Sequence, residues 1–127
     1  MQAALRLRAD VLAGELELIA PSLWLYEIVN GLLAAERRRR LAPGTATQDL
    51  VDLLELTPLL VDPDLADVHR TALRHSLSGY DASYVALATQ LGLDFWTGDR
   101  RIVRATASVL SPVRWIGDYP RTITPSA

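Results

Sequence analysis

Ser78-Gly79-Tyr80-Asp81-Ala82-Ser83-Tyr84-Val85-Ala86-Leu87-Ala88, followed by Leu93-Asp94-Phe95-Trp96-Thr97 and then Gly98-Asp99-Arg100-Arg101, is the stretch whose reading decides the fold. The first segment reads as an apolar helix with Asp81 in its opening turn. The second reads as a buried strand, with Asp99 just past its end. Helix starts and strand ends are where open α/β sheets gather ligands. Acidic residues grouped there suit a hard divalent cation held by oxygen donors. A third acid, Glu27, lies on an apolar helix far upstream.

Working outward, strand-type and helical patterns alternate. Gln2 to Ala13 has Leu5, Ala9 and Leu12 at helical spacing, with Gly14 placed to end it. Glu15 to Ala20 reads as a strand, and Pro21-Ser22 opens a helix to about Arg39 with Ser22 as its N-cap. Pro43-Gly44 breaks the chain. A helix follows from Thr45 or Thr47 to about Leu56, with Leu50, Leu53 and Leu54 as its buried stripe. Leu59 to Val61 is a short strand, and Pro63 to about Leu77 a helix. Tyr80 to Leu91 is a helix closed by Gly92, Leu93 to Thr97 a strand, and Arg100 to Ala107 a helix. Val113 to Ile116 is the last strand, and the tail from Gly117 to Ala127 has no pattern. Such alternation predicts an α/β domain whose parallel sheet is covered by helices on both faces. The predicted domain runs over residues 1–117, with 118–127 as a C-terminal tail.

Composition narrows the function classes. At 127 residues with half of them apolar, the chain is long enough for one hydrophobic core. No apolar run approaches the ~18 positions a membrane span needs, and the N-terminus has no secretory pattern. The absence of cysteine excludes disulfides and thiolate metal sites and fits a cytoplasmic protein. Net charge is −2, so the whole-molecule field does not advertise a nucleic-acid binder. All thirteen basic residues are Arg, four of them in the block Arg37-Arg38-Arg39-Arg40. That block is an ordinary solvated helix end or, on a sharper reading, a contact for an RNA backbone.

Each acid has a bland reading beside the chemical one. Glu27 and Asn30 are spaced i, i+3 and share one helical stripe beside Gly31; Glu27 could equally be solvated on an outer face. Asp81 is what a helix dipole favours in any first turn. Asp99 is a normal N-cap for the helix after it. The Thr97 hydroxyl could orient a carboxylate or simply pack in the strand. Three acids on elements that a parallel sheet brings to one edge form the stronger pattern. Clustered carboxylates repel and need a cation or a shared proton between them. Mg2+ or Mn2+ suits such a site and the chemistry of a phosphodiester. His69 and His75, spaced i, i+6, do not share a helical face. No serine has a His–Asp context, and no glycine pattern suggests a phosphate loop. A receiver-like or phosphoryl-transfer module would need a later lysine, and the chain has none. Trp24, Trp96 and Trp115 read as core residues.

The segments Leu25-Tyr26-Glu27-Ile28-Val29-Asn30-Gly31-Leu32, Tyr80 to Ala88 and Thr97-Gly98-Asp99-Arg100-Arg101 resemble, in order and separation, PIN-domain ribonucleases, specifically VapC-type toxins of toxin–antitoxin pairs. The resemblance implies a PIN-like three-layer α/β/α fold and a Mg2+- or Mn2+-dependent endoribonuclease. Glu27, Asp81 and Asp99 would be its catalytic and metal-binding acids, supported by Asn30 and Thr97. It further implies a homodimer neutralised by a small antitoxin. Members of the family open with a short central strand ending in an aspartate, whereas this sequence starts within the region matching the first helix. Asp10, on a predicted helix, does not replace that aspartate. Without the strand, each unpaired backbone group on its neighbours costs on the order of 1–3 kcal/mol if buried, against a net stability of about 5–15 kcal/mol. The expectation is a start-site error or a trimmed chain, ahead of re-pairing of the sheet or a strand borrowed from a partner. A non-catalytic PIN-like remnant that still binds an antitoxin is the alternative function.

Overall fold

The computed structural model describes residues 2–42, 44–56 and 58–120. The break expected at Pro43 and the tail from Arg121 onward lie outside the described residues. Helix α1 (Gln2–Leu12) ends where Gly14 takes a left-handed φ of +76°, open to glycine without a Cβ penalty. Then come β1 (Ile19–Ala20), α2 (Leu23–Arg37), α3 (Thr45–Leu54), β2 (Leu59–Leu60), α4 (Leu65–His75), α5 (Gly79–Leu91), β3 (Phe95–Thr97), α6 (Arg100–Ala105) and β4 (Val113–Trp115). A 3-10 turn over Ile116–Asp118 follows β4. No helix among the described residues is long and apolar enough to cross a membrane.

The centre of the molecule is α5. Its small residues Ala82 and Ala86 let α4 approach closely, with Val68, Ala72 and Leu77 packed against them. Its other side carries Val85 against Ile102 and Val113, with Phe95 and Val103 at the margin. A helix buried on more than one side reads as apolar around its circumference, which is why the quoted stretch is so uniform. Ser83, the polar exception, is satisfied internally because its hydroxyl donates to the Gly79 carbonyl at 2.7 Å.

The α/β class holds, and every pairing is parallel, but the strands form two separate ribbons. In one, β1 pairs with β2, Ile19 opposite Leu59. In the other, β3 pairs with β4, Phe95 opposite Val113 and Thr97 opposite Trp115. The neighbours of the expected central position have therefore not re-paired with each other. The β1 strand is shorter than the Glu15 to Ala20 pattern suggests because its ladder partner spans two residues, and Glu15 instead donates its N–H to the Asp10 carbonyl. The stripe expected on α3 is at best half-buried: Leu54 is 41% exposed, and α3 packs chiefly against α2.

Two long-range contacts replace local expectations. Ser22 does not cap α2 with its side chain; it is itself helical, and its N–H (2.9 Å) and hydroxyl (2.8 Å) donate to Asp62 in the loop after β2. The Ser22 N–H, then its hydroxyl, hold the Asp62 carboxyl below its usual 3.8. This contribution is fully present above the unfolded value and is lost as pH falls through the lower folded one. Asp62→Asn should lower the melting temperature at pH 7 and flatten its decline in acid; thermal melts across pH by circular dichroism check both. At the other end, Tyr119 is buried; its hydroxyl donates to Asp10 at 2.6 Å, and its carbonyl accepts from Arg6 at 3.3 Å. Residues 116–119, read from sequence as the end of a strand running into a patternless tail, thus pack on α1.

Candidate active site

Asp81 enters the site from the start of α5. Ser78 caps that helix, its hydroxyl accepting the Asp81 N–H at 3.1 Å, so the carboxylate is held at the positive end of the helix. Asp99 enters from the end of β3. The buried Thr97 hydroxyl accepts the Asp99 N–H at 3.0 Å, and the Asp99 carboxylate accepts the Arg101 N–H at 2.9 Å as the cap of α6. The capping reading of Asp99 is therefore true, and it coexists with a position at the strand end. Thr97 acts on the backbone of Asp99, fixing the turn that presents the acid.

A single cation joins the two. The Arg101 guanidinium lies 2.9 Å from Asp81 and 3.2 Å from Asp99. Desolvation alone would push the Asp99 carboxyl up, but the Arg101 N–H and guanidinium outweigh it and hold the group below the usual carboxylate range. Glu27 stands on the Asp81 side. Partial burial raises its pKa, the Tyr84 hydroxyl donating toward it opposes that rise, and the Asp81 charge adds to it. Burial, then the Glu27 carboxylate, pushes the Tyr84 phenol far above its ordinary 10.0, so it remains a donor.

Glu27, Asp81 and Asp99 thus form a chain of interactions, Glu27 to Asp81 and Asp81 through Arg101 to Asp99. Among the described residues no three acidic, histidine or cysteine side chains close into one metal-holding group. The donor set nevertheless fits Mg2+ or Mn2+, which is commonly held by one or two carboxylates and keeps several waters. The mutual repulsion of Glu27 and Asp81, and the guanidinium drawn between Asp81 and Asp99, both mark a place that favours positive charge.

Asn30 is exposed one helical turn beyond Glu27. Arg37 ends α2, and Arg38, Arg39 and Arg40 follow it, Arg39 in a left-handed conformation; all four are exposed. No ion pair among the described residues engages them. Two residues of the site escape a search for acids. Tyr84 sits at i+3 from Asp81 on the same helical face, and Arg101 lies two positions after Asp99; both stand in the quoted stretch.

A family model for the PIN domain matches residues 2–107. The chain belongs to the PIN-domain family. Two Pyrobaculum aerophilum relatives place this PIN domain with the VapC type. One, named exonuclease VapC9, is 34% identical over 88 residues, which cover 69% of this chain and 66% of that protein. The other, named ribonuclease VapC3, is 33% identical over 100 residues, 76% of each chain. The crystal structure of PAE2754 from the same organism superposes with a TM-score of 0.62 at 30% identity, covering 79% of this chain and 80% of that one. The resemblance of the three acidic segments is thus matched by a relationship over most of the PIN domain.

Proposed function

We propose that this chain is a VapC-type toxin, a metal-dependent endoribonuclease using Mg2+ or Mn2+. The observation that carries the reading is that Asp81 and Asp99, 18 positions apart in sequence, share one cation while Glu27 is coupled to Asp81 by charge. When bound, the divalent ion would polarise a phosphoryl oxygen and make a coordinated water more acidic. Asp81 and Asp99, with Glu27 beside them, would hold it. Thr97 would fix the Asp99 backbone, and Tyr84 would orient Glu27. Asn30 offers a further polar group on the Glu27 stripe. The Arg37 to Arg40 block lies about 15 Å along α2 from Glu27 by helical rise, within reach of a neighbouring stretch of RNA backbone.

Neutralisation by a small antitoxin is part of the same reading, as is a homodimer. Exposed apolar residues on the α2–α3 pair, Tyr26, Val29, Leu33, Val51 and Leu54, give a protein partner a surface to cover. The second reading, a PIN-like binding protein without nuclease activity, is favoured by the lack of a closed three-acid group among the described residues. A closed circular single-stranded RNA separates these readings, because it has no ends. The expected result is linearisation with Mn2+ or Mg2+, abolished by EDTA and restored by added metal. Intact circles at every metal concentration, with an adjacent-gene protein still captured, would establish the binding-only reading.

A further inference from the structure

We infer that Arg100 and Trp115 form a nucleobase subsite beside the acid cluster, where one base of an RNA strand stacks and the adjoining phosphate meets the guanidinium. The inference rests on the nuclease reading. Trp115 ends β4 directly opposite Thr97, and paired residues of neighbouring strands point to one face of the sheet. Thr97 is the residue whose hydroxyl fixes the Asp99 turn, so the Trp115 and Asp99 backbones lie within about 11 Å of each other. The Arg100 guanidinium sits 4.0 Å from the centre of the Trp115 ring. Its neighbour Arg101 turns instead to Asp81 and Asp99, because consecutive helical residues do not share a face. Among the described residues the Arg100 guanidinium has no carboxylate partner and no hydrogen bond to protein.

The pair belongs to the surface. Arg100 is exposed and Trp115 half-buried, so the indole is not the core residue its composition suggests. A methyl group at Gly117 would overlap the indole nitrogen, so the missing side chain there lets the ring lie back against the turn after β4. An exposed cation–π contact adds little to stability. What it supplies is an aromatic ring, a guanidinium plane and unused N–H donors at one point. A nucleotide carries a flat π face and a phosphate within one unit, and both aromatic rings and guanidinium planes are stacking platforms for RNA bases. The base would cover the side of the pair left open to solvent, and the guanidinium edge would donate to the phosphate. An acidic peptide would use the charge and leave the planes idle. Stacking accepts any base, so this subsite grips the strand without reading its sequence.

The test uses the full chain in EDTA, so that RNA binds without being cut. The probes are a short oligoadenylate and a ribose-phosphate strand of equal length that lacks bases. Fluorescence anisotropy of the labelled strands should show oligoadenylate bound about tenfold more tightly, the scale of one stacked base. Arg100→Lys keeps the charge but loses the plane, so it should hold the abasic strand and lose most of that preference. Trp115→Leu should lose it as well, whereas Trp115→Phe, which keeps a ring, should retain most of it. In protein labelled with fluorotryptophan, the Trp115 resonance, assigned by its loss in Trp115→Phe, should shift with oligoadenylate and stay in place with the abasic strand. Equal binding of the two strands, or no binding of either, overturns the proposal. So does a Trp115 resonance that saturating oligoadenylate leaves unmoved. A lower melting temperature in Arg100→Lys with the base preference intact would reduce the pair to a structural contact and also overturn it. Circular RNA left intact with metal, while base-dependent binding through Trp115 persists, would sink the nuclease reading and keep the subsite; linearised circles without base preference would do the reverse.

Discussion

Replacing Asp81 by Asn should lower RNA cleavage by about 100-fold on the scale of lost metal-site groups, while leaving the fold standing. Asp81 is the one acid joined to both others, to Glu27 by charge and to Asp99 through Arg101. The substitution keeps the side-chain shape, and the N–H at this position still reaches the Ser78 hydroxyl, so α5 retains its cap. A second readout separates lost chemistry from lost structure. The Asp81 charge helps to raise the Glu27 pKa, so in the variant Glu27 should titrate lower, though still above 4.5 because burial remains the larger cause. Carboxyl carbon shifts followed by NMR give that value, isothermal titration gives Mn2+ affinity, and a melt gives stability. Unchanged cleavage by a folded Asp81→Asn protein would remove the catalytic assignment altogether.

Arg101→Ala has the opposite sign for metal. The guanidinium sits between the carboxylates that a divalent ion would use, so its removal should tighten Mn2+ binding by about tenfold at low ionic strength. Because the Arg101 side chain is 71% exposed, the gain should shrink as salt rises toward a Debye length of about 8 Å. Electron paramagnetic resonance of free Mn2+ across a salt series measures both features. Unchanged or weaker Mn2+ affinity would show that Arg101 and the metal do not compete. Loss of RNA affinity in the same variant, with metal binding improved, would assign the guanidinium to the substrate as well.

The elements legible in sequence were those set by local chemistry. Gly14 and Gly92 end their helices in left-handed conformations. The apolar run from Ala82 to Ala88 marks the central helix. What escaped depends on partners distant in the chain. Ser22 has the composition of a cap yet gives its hydrogen bonds to Asp62, forty residues away. Leu54 has the spacing of a core residue, but α3 packs chiefly on α2 and leaves that side chain 41% exposed. The candidate acids were readable as residue types at element ends. Tyr84 and Arg101 were not, because their roles exist only once α2, α5 and α6 meet.

The Tyr119–Asp10 contact spans 109 positions. Synthesis therefore delivers α1 more than a hundred residues ahead of the tyrosine that clasps it. Until that tyrosine arrives α1 lacks its clasp, and Leu5 and Leu12, 59% and 58% exposed even in the finished molecule, stay in solvent. Nascent chains stalled short of Tyr119 should therefore be sensitive to proteases at α1 and attractive to chaperones.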